Sequence, residues 1–77
     1  MLKIGNAVIS ETVKFNVEDT AICIISDDVQ IRDNVVIECG AGGFLSIASG
    51  TVINCGAWIN GSGQATIGKN VLIAPHV

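Results

Sequence analysis

The sequence has no tyrosine, two phenylalanines and one tryptophan, so no aromatic cluster can organise its 77 residues. Basic residues are scarce as well. Four Lys and Arg against seven Asp and Glu give a net charge of −3, which excludes the cationic footprint of a nucleic-acid binder. No apolar run approaches the ~20 residues that span a membrane as a helix. The N-terminus, MLKIGNAVIS, lacks a continuous apolar core and a cleavage site, so a cytoplasmic chain is expected. There is one proline and no CxxC pair.

What is present points one way. Apolar residues make up 49% of the chain, and Ile, Val and Ala supply most of them. β-Branched side chains suit strands better than a helical core. Nine glycines suggest many tight turns. A chain this short forms one domain and buries only ~60% of its unfolded surface, so a staple or a partner is expected. Disulfides are a poor candidate. Cys23, Cys39 and Cys55 are an odd number at a spacing of sixteen, and reduced thiols are the simpler reading. Together with His76 they could be taken for a zinc set. Structural zinc sites bring their ligands in close pairs, however, and none is paired here; no metal ligand is assigned.

From Ile25 onward the chain divides into sixes, each opening with isoleucine: ISDDVQ, IRDNVV, IECGAG, a spacer GFLS, then IASGTV, INCGAW, INGSGQ, a spacer AT, then IGKNVL and IAPHV. The opening residues, Ile25, Ile31, Ile37, Ile47, Ile53, Ile59, Ile67 and Ile73, form the expected core of the repeat. The fifth places, such as Val29, Val35, Ala41, Thr51, Ala57 and Gly63, are small or β-branched and are expected to point inward beside them. The fourth places are Asp28, Asn34, Gly40, Gly50, Gly56, Ser62, Asn70 and His76. Ser62 apart, these are the residue types that accept a left-handed backbone, as a sharp turn every six residues requires. A period of six fits neither an amphipathic helix nor a hairpin sandwich.

A six-residue strand-and-turn unit cannot bury its face alone, so the units must stack as a solenoid. Both spacers follow a third unit, so three units to a coil would place them as bulges over one corner. The expected architecture is all-β: a single parallel β-helix of triangular section, about three coils, over residues 25–77. Residues 1–24 break the register at Ser10-Glu11 and alternate at Val13, Phe15 and Val17, so they are expected to form an N-terminal strand, cap or degenerate coil.

With this repeat, and with the segments INCGAWINGSGQATIG and IGKNVLIAPHV, residues 25–77 resemble the hexapeptide-repeat acyltransferases, above all the sugar O-acetyltransferase branch. The resemblance implies a left-handed coil, against the usual right-handed crossover. It also implies a trimer with clefts between protomers, acetyl-CoA as donor, and a His acting as general base on an acceptor hydroxyl. In that family the His belongs to the segment after the stretch that ends here, so no residue of this chain is expected to fill the catalytic role. No cofactor-binding residue is assigned.

His76, the sole histidine, sits at a turn place and has no acidic neighbour in sequence to orient it, so a turn role is expected. The stretch Gly63–Asn70 spells GxxxxGK, but Asn70 stands where a phosphate loop needs Ser or Thr, and a strand pattern follows where a helix should. Gly40-Ala41-Gly42-Gly43 likewise reads as a spacer loop. Asp27, Asp28 and Asp33 read as a solvated turn face. Trp58 should face outward as an interface anchor or a sugar platform, the former favoured in the absence of visible polar neighbours. Phe44 is the second candidate contact.

Two readings of function stand. One is a short piece of an acetyltransferase-like protein, not catalytic by itself. The other is a non-enzymatic β-helix that assembles into a homo-oligomer, either as the trimer the resemblance implies or end to end through its last coil. Catalysis by His76 across an interface ranks below both.

Overall fold

Isoleucines separated by turn residues fold here into eleven short strands with no helix between them. They are β1 (Leu2–Ile4), β2 (Val8–Ile9), β3 (Lys14–Val17), β4 (Ile22–Ile25), β5 (Gln30–Ile31), β6 (Val36–Cys39), β7 (Phe44–Ile47), β8 (Val52–Ile53), β9 (Trp58–Asn60), β10 (Gln64–Ile67) and β11 (Leu72–Ile73). The computed structural model describes all 77 residues.

Every pairing is parallel, and each strand pairs with the strand three places further along. Three sheets result: β1-β4-β7-β10, β2-β5-β8-β11 and β3-β6-β9. The chain therefore turns round three faces and returns one level along. This is a parallel β-helix of three full coils with a fourth begun by β10 and β11.

Register follows the isoleucines. Ile4, Ile25, Ile47 and Ile67 stack in one column. Ile9, Ile31, Ile53 and Ile73 form a second, and Phe15, Ile37 and Ile59 a third. The first 24 residues thus supply a complete coil, paired strand for strand with the second.

Two features depart from the repeat of sixes. GFLS and AT are not corner bulges. Phe44, Leu45 and Ser46 lie in β7, and Ala65 and Thr66 lie in β10 directly over Leu45 and Ser46. The faces are unequal: β5 and β8 are two residues long, whereas β4, β6 and β7 are four. A four-residue strand turns two side chains inward, so Cys23 joins Ile25, Cys39 joins Ile37, and Leu45 joins Ile47, all at 0–1% exposure.

The third corner moves accordingly. Left-handed backbone occurs at Asp28, Asn34, Gly50, Gly56, Asn70 and His76, but at Gly42 rather than Gly40, and not at Ser62. With φ of 73°, Gly42 holds a conformation an L side chain rarely adopts. Gly43 then takes the buried place beside the turn, and Ala41 and Gly63 are exposed rather than inward.

The core runs along the prism axis but not to its ends. Every fully buried side chain lies between Ala21 and Ala57. Ile9, Phe15 and Val17 at one end, and Ile59, Ile67 and Ile73 at the other, pack against the core while remaining partly open.

Candidate functional site

Apart from the buried thiols of Cys23 and Cys39, the side chains able to do chemistry lie at the corners and on the outer faces. Hydrogen bonding between successive coils orders the corners. The Asn34 N–H donates to Thr12 Oγ1 at 2.9 Å, and the Gly42 N–H to Thr20 Oγ1 at 2.9 Å. At the first corner the Asn6 N–H donates to Asp27 Oδ1 at 2.6 Å. Ser10 Oγ donates to Asp33 Oδ1 at the second. Asp27 and Asp33 are therefore turn acceptors one coil apart from their donors.

His76 adopts φ of 62°, and its N–H donates to the carbonyl of Cys55 at 3.0 Å. Its ring lies over Gly56, in the space a side chain there would fill. No hydrogen bond joins the imidazole to a carboxylate or to the half-buried Cys55 thiol. A nucleophile–base pair needs that contact.

The other thiols are inside the prism. Cys39 Sγ donates to the carbonyl of Gly61 at 3.2 Å. Burial pushes the Cys23 thiol up to about 11, with Cys39 adding to the rise and the N-terminal ammonium opposing it. No three His, Cys, Asp or Glu side chains come together in a group that could hold a metal ion. Residues 63–70 contain β10 followed by a corner, with no helix to receive a phosphate.

The largest groove, about 450 Å³, runs along the outside of β2, β5 and the following corner, where Gln30, Arg32, Asp33, Asn54 and Cys55 line it. Its polar groups are largely engaged with each other: Arg32 Nη2 donates to Gln30 Oε1 at 3.3 Å, and Asn54 Oδ1 accepts from the Cys55 N–H at 2.9 Å.

The outward face of β3-β6-β9 is organised differently. Lys14, Val36 and Trp58 form one outward row, and Asn16, Glu38 and Asn60 the next. Trp58 is 60% exposed, and its indole N–H donates to Glu38 Oε1 at 2.6 Å. Phe44 lies on another face, in β7 between Ile22 and Gln64. The two aromatics singled out in the sequence are thus not brought together. The polar neighbours of Trp58 were not recognised in the sequence, although aligning Ile37 with Ile59 places Glu38 beside Asn60. No helix of the structure is long and apolar enough to cross a membrane.

Comparison with protein-family models, with curated proteins and with solved structures finds no match for this chain.

Proposed function

We propose that these residues serve as a β-helical scaffold block that is extended coil on coil through its ends and contains no self-sufficient catalytic centre. The observation behind this reading is the gradient of burial along the prism. Ile25, Ile31, Ile37 and Ile53 are 0–2% exposed, whereas Ile4, in the same inward column as Ile25, is 43% exposed. Val71, one coil above the fully buried Thr51, is 37% exposed.

A further coil of the same geometry is the surface that fits such an end. It would continue the core and give the outer edges of β10 and β11, or of β1, β2 and β3, strands to pair with. For the 77-residue chain in solution that coil belongs to a second copy, so the block forms a homo-oligomer by end stacking. Side-by-side packing of three prisms leaves both ends uncovered, and Trp58 and Phe44 stand on different faces. Truncation after Thr66 removes β11 and is expected to change the mass of the assembly; an oligomer of unaltered mass would sink the reading.

A second reading rests on the resemblance to hexapeptide-repeat acyltransferases of the sugar O-acetyltransferase branch. Three parallel faces and left-handed corner residues support it. On this reading acetyl-CoA is the donor, while the general-base His is not among these residues. The 77-residue chain then releases no CoA from acetyl-CoA in the presence of free sugars. Release that is lost in His76→Ala would instead place catalysis on this chain. A cytoplasmic setting suits both readings, because three free thiols persist in a reducing compartment.

A further inference from the structure

Trp58 is the only tryptophan of the chain, and more than half of it faces solvent. Its one polar atom is already bonded to Glu38, at 2.6 Å. What solvent meets is therefore the carbon surface of a ring tied by that bond to the neighbouring strand β6. A ring fixed in advance loses little conformational freedom when a ligand settles on it.

The groups around it have bonding capacity to spare. Glu38 uses one carboxylate oxygen on the indole, which leaves the other as an acceptor. Asn60 Oδ1 accepts from the Ser62 N–H at 2.9 Å and from Ser62 Oγ at 2.5 Å. That fixes the amide and leaves Asn60 Nδ2 as a free donor. Asn16 and Lys14, both on β3 and two coils from β9, extend the two rows across the face.

Apolar ring, acceptor and donor on one flat face match the chemistry of a pyranose. Such a sugar presents an apolar C–H surface on one side and a fringe of hydroxyls that both donate and accept. An amphipathic aromatic suits the first, and a few placed polar groups suit the second. A protein partner fits less well. Three strands ~4.8 Å apart and about four residues long cover about 200 Å², against ~800 Å² per partner in a stable interface. Four of the six outward residues are polar or charged, whereas interface cores are depleted in charge.

We propose that the outward face of β3-β6-β9 binds the pyranose rings of an oligosaccharide, with Trp58 as the stacking surface and Glu38 and Asn60 as the hydroxyl contacts. β3 and β9 are the edge strands of this sheet, so the face reaches both open ends; a sugar would settle on its outward side chains, whereas end stacking uses strand edges and inward residues.

Because Trp58 is the sole tryptophan, its fluorescence reports this face alone. The 77-residue chain is titrated with cellohexaose and, separately, with chitohexaose. A saturable change in emission is expected with at least one of them, with a midpoint on the order of 1 mM. By calorimetry, Trp58→Ala loses the binding with an unchanged far-ultraviolet circular dichroism spectrum, Trp58→Phe retains most of it, and Asn60→Ala weakens it about five-fold. No emission change with either sugar up to ~20 mM overturns the proposal. Undiminished binding by Trp58→Ala overturns it as well. The titrations are made at one fixed protein concentration, so that end stacking, which would bring a second copy beside β9, does not contribute to the emission change.

Discussion

Gly61 lies so close to Leu45 that a Cβ on the glycine would stand 2.7 Å from the leucine Cβ. Gly61 is buried at the corner between β9 and β10, and Leu45 is the fully buried inward residue of β7. The atom in the way is next to the leucine backbone, so rotation of the side chain cannot clear it. Gly61→Ala is expected to destabilise the fold by about 1–3 kcal/mol through overpacking. A urea midpoint lowered at constant slope is the measurement. An unchanged midpoint would mean the two coils separate at no cost.

Asn34 turns the corner between β5 and β6 with φ of 61°. Asparagine and glycine accept this conformation, whereas a β-branched residue is strained there by about 1–2 kcal/mol. Asn34→Val is expected to lower the melting temperature, and Asn34→Gly to leave it nearly unchanged. Equal melting temperatures for the two variants would show that conformation does not limit stability at this corner.

Thr51 is fully buried, and its hydroxyl donates to the carbonyl of Gly68 at 2.7 Å while accepting from the Val71 N–H at 3.3 Å. This one side chain ties the third coil to the corner that leads into β11. Thr51→Val keeps the shape and loses both bonds, at an expected cost of about 1 kcal/mol. Amide exchange at Val71 should accelerate in the variant, while exchange at Ile31 and Ile37 should respond much less. Uniform acceleration would point to global rather than local loosening.

Much of the fold was legible in sequence because inward isoleucines recur in register, Ile25 under Ile47 under Ile67. Turn residues mark most corners for a conformational reason that the sequence displays, since Asp28, Asn34, Gly50, Gly56, Asn70 and His76 all tolerate left-handed backbone. Face length was not legible. A strand of four such as Phe44–Ile47 adds an inward Leu45 two residues before the isoleucine, and a frame of sixes can treat that only as an insertion. The move of the third corner from Gly40 to Gly42 has the same origin, because Cys39 extends β6 by an inward residue. On the outer face, the register placed Glu38 beside Asn60, but the bond from Trp58 to Glu38 depends on how side chains lean across the sheet, and no periodicity encodes that.

The Cys23 thiol gives a signature at high pH. Its pKa is raised from 9.0 to about 11, mainly by burial and secondarily by Cys39. The folded chain therefore holds this proton more tightly than the unfolded chain. Stability from this group is fully present below pH 9 and is lost as pH rises from 9 towards 11, at up to ~1.4 kcal/mol per pH unit. Urea midpoints measured across that range should fall more steeply for the native chain than for Cys23→Ala. Parallel slopes would show that Cys23 ionises alike in both states.

The scaffold reading turns on whether the open ends recruit another coil, and sedimentation equilibrium of the 77-residue chain over a hundred-fold range of concentration tests it most directly. The expected result is a mass at multiples of 7.9 kDa that depends on concentration and is altered by truncation after Thr66. A single species of 7.9 kDa at every concentration, with the amides of β10 and β11 protected from exchange, would contradict it.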